Sequence, residues 1–188
     1  MQKNIMIVGV GGQGTLLASR ILGNLLTSRG YDVKVSEVHG MSQRGGSVVT
    51  YVKYGDKIYS PIIDKGEADI ILAFERLEAL RALPYLKKGG TLIVNDRATL
   101  PMPVITGAAT YPEGIIDELA KHADLRALDA LAIAEEVGNA KAVNVVLIGV
   151  LAASTDIPKE EWVETIRATV PPKFLAINLA AFERGYTL

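Results

Sequence analysis

The feature that most constrains the fold is a glycine-rich turn, Gly9-Val10-Gly11-Gly12-Gln13-Gly14, which directly follows the apolar run Ile5-Met6-Ile7-Val8. A continuously apolar run of this length is typical of a strand buried on both faces of a parallel sheet. The residues after the turn, Thr15 to Arg29, repeat apolar side chains at helical spacing. The sequence therefore predicts a strand, a tight turn and a helix, which is how a doubly wound α/β fold begins.

The rest of the chain alternates between strand-like and helix-like patterns. Short apolar runs predict further strands at Val33–Val35, Ala68–Phe74, Thr91–Asn95 and Val104–Thr106, with Gly89-Gly90 as a turn before the third of these. Gly55-Asp56 predicts a type II′ turn that joins Ser47–Tyr54 and Lys57–Ile62 in an antiparallel hairpin. Helical spacing predicts helices at Thr15–Arg29, Glu75–Leu83, Glu113–His122, Ala130–Val137, Ala142–Ala153, Pro158–Val170 and Lys173–Arg184.

These elements indicate one domain, residues 1–188, of the α/β class. We expect a Rossmann-like, mostly parallel sheet with an antiparallel hairpin and a helical C-terminal part. The strand Ile5–Val8 should be central, with the glycine-rich turn at the carboxyl edge of the sheet.

The composition narrows the possible functions. The chain has no cysteine and only two histidines, His39 and His122, which excludes disulfides, a thiol nucleophile and cysteine-ligated iron–sulfur clusters in this chain and argues against a histidine-rich metal site. A formal net charge of −1 without a Lys/Arg cluster argues against a nucleic-acid partner. The apolar run Val143–Ala153 is far shorter than the ~20 residues that span a bilayer, and Ile5–Val8 is too short for a signal peptide. We expect a soluble cytoplasmic protein with no membrane partner.

The first glycine segment, Gly9–Gly14, matches the pattern G-x-G-x-x-G of dinucleotide-binding turns. Its candidate site residues are Gly9, Gly11, Gly12, Gln13 and Gly14. In such a turn the backbone approaches a pyrophosphate at a helix N-terminus, and an acid about 20 residues further on binds a ribose. Glu37 is the candidate acid, but too little chain remains for a usual substrate domain. A stand-alone NAD(P)- or flavin-binding protein and a purely structural turn both stay open.

The second glycine segment, Gly40–Gly46, lies between two predicted strands. Its candidate site residues, with the preceding Glu37 and His39, are Met41, Ser42, Gln43, Arg44, Gly45 and Gly46. A guanidinium between glycines can meet a phosphate or carboxylate in a bidentate fork, and consecutive backbone N–H groups can form an anion-binding nest. The alternative is a surface loop whose glycines serve the following strand.

These segments, with several later ones, resemble the small subunits of the 2-oxoacid:ferredoxin oxidoreductases. Within that family, Glu37–Gly46 is most similar to the beta subunit of indolepyruvate ferredoxin oxidoreductase. The stretches that carry the resemblance are Gly9–Gly23, Glu37–Tyr51, Tyr59–Ile62, Gly66–Asp69, Phe74–Leu80, Asn144–Leu151, Asn178, Ala181-Phe182 and Gly185. A gamma subunit of a pyruvate- or 2-oxoglutarate-type oxidoreductase is the second interpretation.

The resemblance implies a division of labour between subunits. The large (alpha) subunit carries thiamine diphosphate and the [4Fe–4S] clusters, coenzyme A is a co-substrate, and ferredoxin is reduced indirectly. This chain alone would bind no cofactor or metal, contain no catalytic residue and be inactive. We expect the second glycine segment to face the large subunit near its thiamine site, with Arg44 as the main anchor.

Several polar or aromatic positions carry further expectations. Asn144 and Asn178 interrupt apolar helices and are expected to be hydrogen-bonded structural amides, with contact between either of them and a partner subunit as the alternative. Trp162 lies on an apolar stripe and should belong to the core. The charged residues of the segment that begins at Glu75 are expected to form a solvated helix face: Glu75, Arg76, Glu78 and Arg81.

Overall fold

The computed structural model describes residues 2–40 and 45–188, and within them the chain forms a six-stranded sheet covered by helices. The strands are β1 Gln2–Val10, β2 Asp32–His39, β3 Ser47–Gly55, β4 Ala68–Ala73, β5 Leu86–Asn95 and β6 Asp124–Leu128. The helices are α1 Thr15–Ser28, α2 Arg76–Ala82, α3 Met102–Ile105, α4 Ile115–Ala120, α5 Ala130–Glu136, α6 Val143–Ala153, α7 Lys159–Thr169 and α8 Leu175–Tyr186. Single 3₁₀ turns lie at Leu83–Tyr85, Ala140–Ala142 and Pro172–Phe174.

The strand order β2-β3-β1-β4-β5-β6 makes β1 a central strand, which confirms the expectation for Ile5–Val8. Strands β1, β4, β5 and β6 are parallel, whereas β3 pairs antiparallel with both β1 and β2. Because β3 is antiparallel to two neighbours, β2 runs in the same direction as β1. The carboxyl ends of five strands therefore meet at one edge, and both glycine segments leave the sheet there.

The predicted hairpin between Ser47–Tyr54 and Lys57–Ile62 does not form. Residues 57–62 form no strand, and Ser47–Gly55 pairs with β1 and β2 instead. The Asp32 carboxylate accepts a hydrogen bond from the Ile58 backbone N–H at 2.9 Å, and Lys53 Nζ donates to the Ile62 carbonyl at 2.8 Å. These bonds and the burial of the Ile58 side chain hold the segment as an irregular connection.

Two smaller predictions also fail, and one strand was missed. Val104–Thr106 is not a strand, because Met102–Ile105 forms one helical turn after Pro101. Gly89-Gly90 is not a turn before a strand but an irregularity inside β5, where the pairing register with β4 shifts. The edge strand Asp124–Leu128 was not predicted at all, since its residues are mostly exposed and show no apolar run.

The core lies on both faces of the sheet. One face packs under α1, α6 and α8, and includes Ile7 and the fully buried Trp162, as expected. The opposite face packs under α2 and α4 and includes Met6 and Leu92. Within residues 2–40 and 45–188, no helix is long and apolar enough to cross a bilayer.

Two glycines let helices α6 and α8 touch backbone to backbone. A Cβ atom added to Gly149 would lie 2.3 Å from the Phe182 carbonyl oxygen, and one added to Gly185 would lie 2.0 Å from the Val146 carbonyl oxygen. Real Cβ atoms are not found at such distances from backbone atoms. The crossing therefore requires glycine on both helices, and it sets how α6 lies over the sheet.

We expect Gly149→Ala to lower the free energy of unfolding by at least about 2 kcal/mol, because the methyl group must push two helices apart in a close-packed core. Gly23→Ala is the matched control. It also places alanine in a helix interior, but the nearest neighbour of its Cβ would be Val35 Cγ2 at 3.8 Å, so helix propensity should raise stability by about 0.5–1 kcal/mol. Urea unfolding measures both. Equal stability of Gly149→Ala and the wild type would contradict the account of this crossing.

Candidate functional site

The two glycine segments meet at the carboxyl edge of the sheet. The Gly11 backbone N–H donates to the Gly46 carbonyl at 2.9 Å, directly beyond the last β1–β3 pair, Val10 opposite Ser47. The expectation that the first glycine segment lies at this edge is confirmed. A hydrogen bond between the backbones of the two segments makes them neighbours in space as well as in topology.

The first glycine segment is a tight turn that ends β1 and begins α1. Gly12 and Gly14 have φ of +99° and +85°, values that side chains with a Cβ rarely adopt. Gln13 closes the turn twice: its N–H donates to the Val10 carbonyl at 3.2 Å, and its Oε1 accepts from the Val10 N–H at 2.7 Å. A Cβ on Gly9 would lie 2.9 Å from Phe74 Cβ, so this glycine permits close contact between strand ends.

The N-terminus of α1 is open to an anion. Gly14 is its N-cap and so offers no side-chain cap, and the first turn contains no acidic residue. The first-turn N–H groups and the helix dipole of this 14-residue helix favour negative charge. An acidic ligand group placed here would replace the missing cap.

A cleft of about 580 Å³ opens beside this helix end. Its lining residues are Gly12, Gln13, Gly14, Phe74, Asn95, Arg97, Leu131, Ala140, Lys141, Val143 and Asn144. Arg97 and Lys141 are its charged residues, both exposed, and no carboxylate among the described residues lines it. The cleft is therefore electropositive at the point where the helix dipole is also positive.

The buried side chain of Asn144 leaves an acceptor unused in this cleft. Asn144 is 6% exposed; its Nδ2 donates to the Gly14 carbonyl at a long 3.4 Å, and its Oδ1 has no partner among the described residues. The expectation of a fully satisfied structural amide is therefore wrong for Asn144. The same expectation agrees with the structure for Asn178, whose Nδ2 donates to the Phe174 carbonyl at 2.8 Å. Because the Asn144 Oδ1 atom is shielded from solvent, it can meet a donor only after the side chain moves.

The candidate acid Glu37 does not join this cleft. It lies on β2, where its carboxylate accepts from the Thr50 hydroxyl at 3.3 Å. Because β3 lies between β2 and β1, two strand spacings, roughly 10 Å, separate Glu37 from the first glycine segment. In the usual dinucleotide site, the strand that carries the acid is adjacent to β1. This arrangement removes the structural basis for Glu37 as a ribose ligand.

The second glycine segment is only partly described. Met41, Ser42, Gln43 and Arg44 lie outside the described residues, so the expectations for them stay predictions. His39 and Gly40 are exposed, and His39 Nδ1 lies 3.1 Å from the Gly40 carbonyl oxygen. Gly45 is exposed with φ of +76°. The described ends of the segment thus lie at the surface beside the first glycine segment.

The corner between β4 and α2 holds the neighbouring segments in place, and here the expectation of a solvated helix face is wrong for Glu75 and Glu78, whereas Arg81 is exposed as expected. Glu75 and Glu78 are only 1% and 5% exposed. The Glu75 carboxylate accepts from the Glu78 N–H at 2.9 Å, from the Thr99 N–H at 3.1 Å and from the Tyr111 hydroxyl. Burial, and then the hydrogen bond to Glu75, raise the pKa of Tyr111 far above its ordinary value.

The same corner positions both Arg97 and the start of β3. The Arg76 backbone N–H donates to the Arg97 carbonyl at 3.1 Å. Glu78 Oε2 accepts from the Ser47 hydroxyl at 2.5 Å. Arg97 and Lys141 were missed by sequence reasoning, and Asn144 was singled out but not linked to this cleft. The one available signal was that Arg97 comes two residues after a predicted strand whose carboxyl end had to reach this edge.

The chain is similar to known proteins along almost its whole length. A family model described as pyruvate ferredoxin/flavodoxin oxidoreductase matches residues 4–188. The indolepyruvate oxidoreductase subunit IorB of Thermococcus kodakarensis is 47% identical over 98% of this chain and 94% of that protein. The subunit of the same name from Pyrococcus horikoshii is 46% identical with the same coverage. A gamma subunit of a keto/oxoacid ferredoxin oxidoreductase from Geobacter sulfurreducens has a TM-score of 0.73 at 24% identity, over 98% of this chain and 96% of that one, which supports the fold.

We expect Glu75→Gln to lower the free energy of unfolding by about 1–3 kcal/mol, because one of its three buried donors then faces an amide N–H₂ group. Tyr111→Phe removes a single donor and should cost about 1 kcal/mol. Glu113→Gln, an exposed change two residues further on, should stay within about 0.5 kcal/mol of the wild type. Chemical unfolding of the three variants checks the order. A Glu75→Gln protein as stable as Glu113→Gln would contradict the buried role of this carboxylate.

Proposed function

Because this chain belongs to the pyruvate ferredoxin/flavodoxin oxidoreductase family, we propose that it is the small subunit of an indolepyruvate:ferredoxin oxidoreductase. The observation that carries the proposal is 47% and 46% identity to two subunits of that name over nearly the full length of all three chains. The complex would convert an arylpyruvate and coenzyme A to arylacetyl-CoA and CO₂, and pass two electrons to ferredoxin. The family resemblance seen in the sequence is the starting point, and these identities extend it.

The proposed role is non-catalytic and depends on a large subunit. The chain has no cysteine and therefore no thiolate to hold an iron–sulfur cluster. Thiamine diphosphate and the [4Fe–4S] clusters would belong to the large subunit, where decarboxylation and electron transfer take place. A cytoplasmic location and an interface with the large subunit at the second glycine segment are parts of the same proposal, with Arg44 as the anchor.

Two other interpretations fit less well. A gamma subunit of a pyruvate- or 2-oxoglutarate-type enzyme has the same fold, but the identities above favour the indolepyruvate type. A stand-alone NAD(P) or flavin protein is the other interpretation. The usual NAD site has an acid on the strand next to β1, and β3 separates Glu37 from that place. The position of Glu37 therefore favours the interpretation as a subunit over that as a free NAD-dependent dehydrogenase.

The electropositive cleft gives this subunit a direct part in the reaction. Coenzyme A is the substrate that carries phosphates, which suit the positive charge of this cleft. We propose that Arg97, Lys141 and the N-terminus of α1 hold its phosphate groups. These residues would bind and orient the co-substrate, while the thiol end reaches the large subunit.

Co-expression with a large subunit from the same source tests the proposed function. We expect a stable brown complex that reduces ferredoxin with indolepyruvate and coenzyme A, and no turnover by this chain alone. Pyruvate and 2-oxoglutarate are the comparison substrates. A preference for either of them would favour the gamma-type interpretation, and turnover by the lone chain would contradict the subunit role.

We expect Arg97→Ala and Lys141→Ala each to raise the Michaelis constant for coenzyme A in the complex by a factor of about ten, as befits the loss of a charge-assisted bond worth about 1.5–3 kcal/mol. The value of kcat at saturation should change little. Arg167→Ala on α7 removes one exposed positive charge away from the cleft and is the matched control. Unchanged Michaelis constants in both cleft variants would show that coenzyme A binds elsewhere.

A further inference from the structure

A chain of polar contacts connects α2 to the first glycine segment. Arg81 Nη1 donates to Glu78 Oε1 at 2.6 Å, and Glu78 Oε2 accepts from the Ser47 hydroxyl at 2.5 Å. Glu78 is buried, so its carboxylate is shielded from competing water and both bonds are charge-assisted. Ser47 is itself exposed, which means that a surface serine is tied to a buried acid.

The chain of contacts continues through the backbone. Ser47 is the first residue of β3, and the residue before it, Gly46, accepts the Gly11 N–H at 2.9 Å. Among the described residues, this is the backbone hydrogen bond that joins the two glycine segments. Gly45 and Gly46 have no side chain to anchor them, so Ser47 is the first side chain after the second segment that can fix its end.

From this geometry we infer that Glu78 is a positioning residue, which acts through Ser47 to fix Gly46 and, with it, the turn at Gly11. The position of this turn then determines where Gly12 and Gly14 lie in the cleft. This inference rests on the proposed function for its kinetic consequence, but its structural part concerns the isolated chain. The expected result of breaking the link is a looser turn and weaker coenzyme A binding, with the chemistry itself unaffected.

Hydrogen exchange of the Gly11 amide in the isolated full chain tests the structural part. Ser47→Ala removes one exposed hydroxyl and should speed exchange at Gly11 by about ten-fold, because local opening frees this N–H. Ser47→Thr keeps a hydroxyl and should restore protection. Glu78→Gln keeps one oxygen that can accept and should give a smaller effect than Ser47→Ala.

Thr91→Ala is the matched control, since it also breaks a hydroxyl–carboxylate bond, the 3.2 Å contact from Thr91 to Asp124, on β5 and β6. Exchange at Gly11 should not change in this variant. If Ser47→Ala leaves Gly11 as protected as Thr91→Ala does, the positioning role is overturned. An equal rise in exchange throughout the sheet would also overturn the positioning role, because the Ser47 hydroxyl would then stabilise the whole fold rather than this turn.

Steady-state kinetics of the complex test the functional part. Ser47→Ala should raise the Michaelis constant for coenzyme A several-fold while kcat stays near the wild-type value, and Ser47→Thr should restore it. An equal loss in kcat, or no change in either constant, would overturn this part. If the wild-type complex does not turn over indolepyruvate, the proposed function fails, whereas exchange at Gly11 still decides whether Glu78 positions the turn.

Discussion

The antiparallel strand β3 between β1 and β2 is the constraint on which the rest of this structure depends. It forces β2 to run parallel to β1 and brings the ends of both strands to one edge. It also begins at that edge, so that Gly46 and Ser47 can contact the first glycine segment and α2. The same strand moves Glu37 about two strand spacings, roughly 10 Å, from the first glycine segment. The insertion of β3 thus distinguishes this sheet edge from that of a dinucleotide-binding fold, in which the strand that carries the acid is adjacent to β1.

The cleft combines weak features that act together. A helix N-terminus alone gives an anion only modest stabilisation, typically about 0.3–1 kcal/mol. The exposed cations Arg97 and Lys141 add positive charge to it, and the cleft has no carboxylate among its described lining residues to oppose an anion. Buried carboxylates stand just behind this surface instead, where Glu75 and Glu78 order the backbone rather than meet a ligand.

Local patterns predicted the elements that depend on local physics. The periodic residues after Gly14 predicted α1 to within one residue, and the apolar run Ile5–Val8 located β1 but not its full length, Gln2–Val10. Helix amphipathicity and burial on both faces of a sheet leave direct traces in the sequence. The partners of β3 were mispredicted because a two-residue turn at Gly55 suggests a hairpin, whereas a hydrogen bond from the Ile58 N–H to Asp32 helps to hold the next segment as an irregular connection. The burial of Glu75 was missed because the segments that cover it, around Thr99 and Tyr111, have no regular pattern.

Only part of the candidate site could be predicted from the sequence, for a related reason. Its glycines form a contiguous motif, but Arg97, Lys141 and Asn144 reach the cleft from parts of the chain more than 80 residues away. Only the strand order and the packing of α6 bring them there. The family resemblance could name the kind of protein, but it could not show these contacts.

The paired glycines of the α6–α8 crossing restrict how this protein can change over time. Most core contacts can drift, because a gain of volume on one side can be offset by a loss on the other. Gly149 and Gly185 have no smaller replacement, and each faces backbone, which has no side chain to trim. The crossing therefore has no compensatory route through a smaller side chain, and it fixes the angle of α6. Because Asn144 lies at the start of that helix, its position beside the cleft is fixed as well.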